Sequence, residues 1–328
     1  MRPYQYRCND YSLLTPAFKR WVITPLIEFV PWVIPANIIT FISNGIVYLG
    51  LYMALHPEIL GIVTPLFVSL TFILYLIGDH LDGMQAKRTK TGSALGEFCD
   101  HYLDAFNNGL IMFTMITVFD ISHKPVVAGL LITSYLAHMA VFYEQYKTGW
   151  LTFEPVGSLE GVLLSSLLIA LSAIPAVSDA FSYKVYGDYS VIELALIASS
   201  LGAIITFYKT FKRTPDVKMR FWIFTLLATI TGALSIHFFS PFEIFVVITL
   251  YCSLYIGRLM QGHLIDGVER STDYVAPVLL LLLYVPAYPV SNYQFTVITV
   301  FLSLNILVLI FQVFSVLKVY WVWANTRN

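Results

Sequence analysis

Four aspartates stand close together in a chain that is otherwise poor in charge. They are Asp79, Asp82, Asp100 and Asp104, within GDHLDGMQAKRTKTGSALGEFCDHYLDA, residues 78–105. Spacings of i, i+3 and i, i+4 put each pair on one face of a helix. Gly83 and Ala86 share the face of the first pair and leave a hollow where a bulky group can approach the backbone. Glu97 and His101 share the face of Asp100 and Asp104. Carboxylates this close repel one another, and a low-dielectric neighbourhood makes the repulsion worse. A cation is the remedy. All-oxygen donors without cysteine select a hard ion, Mg²⁺, Mn²⁺ or Ca²⁺. Four acids balance two divalent ions, and two such ions about 4 Å apart are a common device for phosphoryl chemistry. Lys87, Arg88 and Lys90 follow immediately and can offset phosphate charge. Solvated loop acids would need neither the helical pairing nor small residues on the same face.

The elements that carry these residues lie in a membrane. Of 328 residues, 58% are hydrophobic and 12% charged, and the mean hydropathy is +0.74. Apolar runs near the ~20 residues of a transmembrane helix recur along the whole length. The fold class is therefore all-α, a polytopic integral membrane helical bundle. Ten spans are expected, at 35–56, 59–82, 93–119, 124–146, 156–175, 187–208, 219–239, 241–262, 273–290 and 293–322. Before them, LLTPAFKRWVITPLIEFVPW mixes apolar residues with Lys19 and Arg20, which predicts an amphipathic helix in the interface. With both termini cytoplasmic, only Lys124 and Lys184 of the 19 basic residues fall outside. That split follows the positive-inside rule and puts the aspartate stretch at the cytoplasmic face. No cleavable signal peptide is expected from MRPYQYRCNDYSLL, which lacks a continuous apolar core. Cys8, Cys99 and Cys252 have no metal or disulfide spacing. A net charge of −1 gives no reason to expect a nucleic-acid partner.

The aspartate spacing resembles the signature of the CDP-alcohol phosphotransferases, Asp-x2-Asp-Gly-x2-Ala-Arg-x8-Gly-x3-Asp-x3-Asp. Here it reads Asp79, Asp82, Gly83, Ala86, Lys87, Gly96, Asp100 and Asp104, with Lys87 in place of the usual arginine and Arg88 next to it. Lysine keeps the charge and loses the bidentate fork. The segments IPANIIT, GMQAKRTKTGSALGEFCDH, EQYKTGWL with GSLEGVLL, and GRLMQGHL are similar to the choline/ethanolaminephosphotransferase branch. Lys147 replaces that branch's histidine, so nothing is carried over there. The resemblance implies a membrane enzyme that moves phosphocholine or phosphoethanolamine from the CDP-alcohol to a lipid hydroxyl, usually of diacylglycerol, releasing CMP. It implies two Mg²⁺ or Mn²⁺ ions on the four aspartates, and Asn37, Gly83, Ala86 and Gly96 near the nucleotide. It also implies a homodimer as a common state, in the ER or Golgi of a eukaryote or the inner membrane of a bacterium.

Three consecutive segments are expected: a cytoplasmic entry with the interfacial helix (1–34), a six-span catalytic core (35–208) and a four-span region (209–328). Asp104 and His101 compete as the base. The fourth aspartate is the family's usual candidate, while a histidine suits work at neutral pH and Glu97, one turn before it, can hold its ring. Glu144 and Glu160 flank the loop between spans four and five and are expected at the cytoplasmic mouth, with His263 as a phosphate contact. Phe98, Tyr102, Tyr143 and Tyr146 could cage a quaternary ammonium group. Transfer from CDP-diacylglycerol, transfer to a ceramide acceptor, and an ion-binding transporter are the alternatives. The first conflicts with the ten-span length, and the last predicts two related halves, which the sequence lacks.

Overall fold

Proline placement and helix caps decide where this chain turns. The computed structural model describes residues 6–285 and 293–317. The entry segment forms α1 (Thr15–Phe18), a π-helical turn (Lys19–Ile23) and α2 (Thr24–Ile27). Pro25 has no amide hydrogen to continue an α-helical ladder, and the Thr24 amide donates five residues back, to the Lys19 carbonyl. Ile23 and Ile27 are buried against Leu81, while Trp21 and Phe29 are exposed. This is the amphipathic entry helix expected from the sequence, broken once by the π turn.

The first of two units contains this entry together with α3 (Ala36–Leu55), α4 (Thr64–Thr89), α5 (Ala94–Val118), α7 (Ser158–Leu171) and α8 (Pro175–Ser182). The second contains α6 (Lys124–Thr148), α9 (Val191–Arg213), α10 (Met219–Phe238), α11 (Pro241–Gln261), α12 (Val275–Leu282) and nearly all of α13 (Gln294–Leu317).

Within the first unit α3 and α4 approach very closely. A Cβ on Gly78 would lie 2.4 Å from Ser43 Cβ, and one on Gly50 would lie 2.3 Å from Thr71 Oγ1. Small residues at such crossings are how helices pack in lipid, where tails are as apolar as leucine. The α4 helix ends with Lys90 at φ +57°, and the Thr91 amide returns to the Ala86 carbonyl at 3.0 Å. A non-glycine residue in that left-handed position is strained. Three residues later α5 starts, with the Ser93 hydroxyl accepting from the Gly96 amide at 3.0 Å. In the second unit, Ser190 with Glu193 and Ser240 with Glu243 form capping boxes at α9 and α11.

Among the described residues, seven helices are long and apolar enough to cross a membrane: α3, α4, α6, α9, α10, α11 and α13. The chain is thus an all-α polytopic membrane protein. Three expected spans differ in kind. The fifth (156–175) is a bent pair, with α7 turning by 112° into α8. At ~1.5 Å per residue α7 is ~21 Å long, short of the ~30 Å hydrocarbon core. The third forms α5, whose first half carries Glu97, Asp100, Asp104 and Asn107 and is too polar to be counted by apolarity. Of the ninth (273–290), the described residues form the eight-residue α12, and residues 286–292 lie outside the described residues.

Gly78→Val tests the close crossing. The added side chain must push Ser43 aside, at a cost of about 1–3 kcal/mol. The expected outcome is a lowered thermal midpoint in detergent, partly restored by the compensating Ser43→Gly. An unchanged midpoint in the single variant would refute the tight approach.

Candidate active site

The carboxylates converge because three helices bring them together. Asp79 and Asp82 lie on α4, Asp100 and Asp104 on α5, and α3 contributes Thr40 and Asn44. Asp79, Asp100 and Asp104 each offer one oxygen to a group whose atoms all lie within 4.8 Å of one another. Oxygens ~2.1 Å from one Mg²⁺ lie up to ~4.2 Å apart, so only a small contraction is needed. Asp100 Oδ1 is buried and has no hydrogen-bond partner. Such an orphaned acceptor is costly, and a hard cation would satisfy it. The donor set therefore fits a divalent ion.

Asp82 stands beside this group but not in it. It is 3% exposed, and its Oδ2 accepts from the Thr40 hydroxyl at 2.5 Å. A polar thread then runs through the three helices. The Thr40 carbonyl accepts from Asn44 Nδ2 at 2.7 Å, and Asn44 Oδ1 accepts from Asn107 Nδ2 at 2.5 Å. Asn107 Nδ2 lies 3.5 Å from Asp104 Oδ1, which also accepts from the Tyr75 hydroxyl at 2.7 Å. Both ends of the carboxylate cluster are thus held by neutral donors inside apolar helices.

His101 is buried, with Nε2 3.7 Å from Asp100 Oδ2 and Nδ1 4.0 Å from Glu97 Oε1. Its ring lies 5.7 Å from that of Tyr6. The imidazole therefore adjoins an aspartate of the metal group, with Glu97 behind it. Gly83 is exposed, and a Cβ there would meet nothing within 4 Å, so this face of α4 is open. Asn37 and Gly96 lie together, since a Cβ on Gly96 would sit 3.3 Å from Asn37 Oδ1. Ala86 is half-buried, three residues before the last residue of α4, and Lys87 is exposed, its ammonium group making no hydrogen bond or ion pair among the described residues.

Several expected contacts are placed elsewhere. Arg88 donates to the carbonyls of Ile27 (2.7 Å) and Val30 and to Gln85 Oε1 (2.8 Å), and lies over the Trp32 ring. Three of its five N–H groups are thus engaged, two of them closing the C-terminal end of the entry helix. Glu160 is a capping residue: Oε2 accepts from the Gly157 amide at 2.8 Å, and Oε1 accepts from Ser12 Oγ at 2.6 Å and the Leu14 amide at 3.0 Å. It ties the entry segment to α7 and is not free to line a mouth. In the second unit Glu144 is buried and gripped by Arg213 through Nε and a second nitrogen, the latter at 2.8 Å, an ion pair between α6 and α9. His263 lies on the π-helical turn Gly262–Asp266 that ends α11. Phe98 and Tyr102 stack on each other at 4.9 Å, whereas Tyr143 and Tyr146 already face a cation, Lys147 Nζ, at 5.3 and 5.7 Å.

The residues missed from sequence are Tyr75, Asn44 and Asn107 together with the role of Thr40. An available signal was an amide inside an apolar span, which is functional or paired by default.

Residues 33–201 match the family described as CDP-alcohol phosphatidyltransferase. An uncharacterized class-I member from Schizosaccharomyces pombe is 30% identical over 195 residues, 56% of this chain and 49% of that one. Choline/ethanolaminephosphotransferase 1 of Saccharomyces cerevisiae is 27% identical over 187 residues, 53% and 46% of the two chains. CDP-diacylglycerol–serine O-phosphatidyltransferase of Encephalitozoon cuniculi is 28% identical over 176 residues, 50% and 44%. The chain spans about half the length of the curated relatives it matches.

Arg88→Ala separates the two basic neighbours. It removes charged hydrogen bonds to the entry helix and should lower the thermal midpoint in detergent, at a cost of about 2 kcal/mol. Lys87→Ala, which removes an exposed ammonium group, should keep the midpoint of the wild type. An unchanged midpoint in Arg88→Ala would refute the fastening of the entry helix by Arg88.

Proposed function

The chain belongs to the CDP-alcohol phosphatidyltransferase family, and from that premise we propose that it transfers phosphocholine or phosphoethanolamine from the CDP-alcohol to the hydroxyl of diacylglycerol, releasing CMP. The observation that carries the reading is the group of Asp79, Asp100 and Asp104, with ligating oxygens within 4.8 Å, on the helices that also carry the open face at Gly83. The lipid hydroxyl oxygen forms a bond to the β-phosphorus, the bond from that phosphorus to the bridging oxygen breaks, and CMP leaves with the bridging oxygen. Bound Mg²⁺ or Mn²⁺ would neutralise the diphosphate and stabilise the leaving CMP. Asp79, Asp100 and Asp104 would hold one ion, and Asp82, steadied by Thr40, is the carboxylate left for a second.

The proton of the attacking hydroxyl goes to Asp104 in this reading. Tyr75 and Asn107 both reach Asp104 Oδ1, which leaves Oδ2 without a hydrogen bond among the described residues. His101, beside Asp100, orients that carboxylate. Asn37, Gly83, Ala86 and Gly96 would receive the nucleotide, with Lys87 on its phosphates. The excess of basic residues on one side of the expected topology supports a cytoplasmic face for the site. The serine transferase relative supports a second reading, in which CDP-diacylglycerol is the donor.

Purified protein incubated with diacylglycerol and CDP-choline or CDP-ethanolamine should release CMP and form the matching phospholipid. Mg²⁺ or Mn²⁺ should be required, with Ca²⁺ supporting turnover poorly because its larger, looser shell misplaces the diphosphate. Turnover in excess chelator would sink the metal reading, and CMP release only from CDP-diacylglycerol would favour the second donor. No CMP from any donor would leave the transporter alternative.

His101→Ala should keep CDP-alcohol affinity and lower kcat about tenfold, through a misaligned Asp100, without removing the pH profile of the wild type. If the base were His101, that variant would instead lose nearly all its rate at saturating substrate, and the alkaline plateau set by a histidine would vanish.

A further inference from the structure

Beyond the residues matched to the family, the second unit carries a cavity of about 520 Å³ lined by Arg220, Arg258 and Arg270 with Ser271, Thr272 and Asp273. A neighbouring cavity of about 420 Å³ shares Arg220 and adds Lys218. Most of the charges here have partners. Arg270 is held by Asp266 at 2.6 and 3.1 Å. Arg258 donates to the Ser271 carbonyl at 2.9 Å. Lys218 Nζ lies 3.8 Å from Glu269, which also pairs with Lys147 at 3.0 Å. Asp273 Oδ2 accepts from the Ala276 amide at 2.8 Å, starting α12.

Arg220, which lines both cavities, is the exception: its charge acts on the Tyr143 and Tyr255 hydroxyls, but it makes no hydrogen bond or ion pair among the described residues. It also stands in the first turn of α10, which has no acidic residue. That is the positive end of the helix dipole, where a cation is disfavoured. Neither packing nor capping accounts for a guanidinium there, but an anion in the cavity would. Guanidinium forks match phosphate oxygens in pairs. The walls and rim add apolar neighbours, for Met219, Val268, Tyr274 and Val275 line the two cavities and are exposed. A free phosphate ion has no use for such a rim, whereas the glycerol and acyl chains of a lipid do.

We propose that this cavity binds the phosphate group of an anionic phospholipid, a phosphomonoester headgroup such as phosphatidate, with Arg220 as the principal contact. Its lining residues share none with the aspartate cluster, and binding can be read without any turnover. The full chain is placed in nanodiscs of phosphatidylcholine alone or with one part in ten phosphatidate, and retained lipid is counted by native mass spectrometry. Inorganic phosphate is titrated in parallel by thermal shift. The wild type should retain phosphatidate over phosphatidylcholine, and Arg220→Glu and Arg220→Ala should reduce retention at least fivefold. The thermal midpoint of Arg220→Ala in phosphatidylcholine should stay close to the wild type, since Arg220 makes no hydrogen bond or ion pair among the described residues. Thermal stabilisation by inorganic phosphate with no phosphatidate retention would overturn the lipid assignment in favour of a soluble phosphate. Equal retention by wild type and both variants, or none by any, would overturn the site altogether.

Discussion

Keeping carboxylates together beside lipid is the constraint on which the first unit depends. Asp79, Asp82, Asp100 and Asp104 repel one another, and the surrounding helices offer little water to spread that charge. The structure answers with neutral donors before any ion is considered. Thr40 donates to Asp82, and Tyr75 and Asn107 to Asp104. Asp100 keeps one buried oxygen without a protein partner. The cluster is therefore satisfied at its edges and left open at its centre, an arrangement that a bound divalent cation would complete.

That arrangement needs α3 within hydroxyl reach of α4. Thr40 is a short side chain, and it spans the gap only because Gly78 lets Ser43 lie against the α4 backbone one residue before Asp79. A further constraint comes from the entry segment. Arg88 grips the carbonyls at the end of α2, and Glu160 grips Ser12 and the Leu14 amide near its start. Charges that a sequence reader assigns to substrate are here fastening an interfacial helix to the helix that carries the site. Both are groups with several directed hydrogen bonds, and a segment lying in the interface has few other means of being held at a fixed angle.

What was legible in the sequence is what periodicity and spacing encode. The aspartates, their helical faces and the small residues beside them were all readable, and so was the order of the apolar segments. The fifth span misled because its apolar length continues through Ala173 and Ile174 into Pro175, and hydropathy has no term for the 112° turn made there. Glu144 and Glu160 misled for a different reason. An acid near the membrane surface looks available until its partner is known, and Arg213 and Ser12 are each far away in sequence. Asn44 and Asn107 were passed over because single amides barely change an apolar run, yet a 2.5 Å bond joins them across two helices.

The pair Lys87 and Arg88 shows how a departure from a family pattern acquires physical meaning. Where the signature carries arginine, this chain has lysine, and the adjacent arginine looks like a displaced substitute. The geometry makes that substitute less available, since three acceptors and an indole face engage the Arg88 guanidinium. In the proposed reading position 87 would then act as a point charge, with a flexible stem and no fork to fix the diphosphate. Orientation of the donor phosphates would fall more heavily on the backbone around Gly83 and on a carboxylate-bound cation than it would with an arginine there. A site built this way would tolerate some freedom in the phosphate chain and depend more steeply on the geometry of its aspartates. That is consistent with the hydrogen-bonded support that Thr40, Tyr75 and Asn107 give to Asp82 and Asp104.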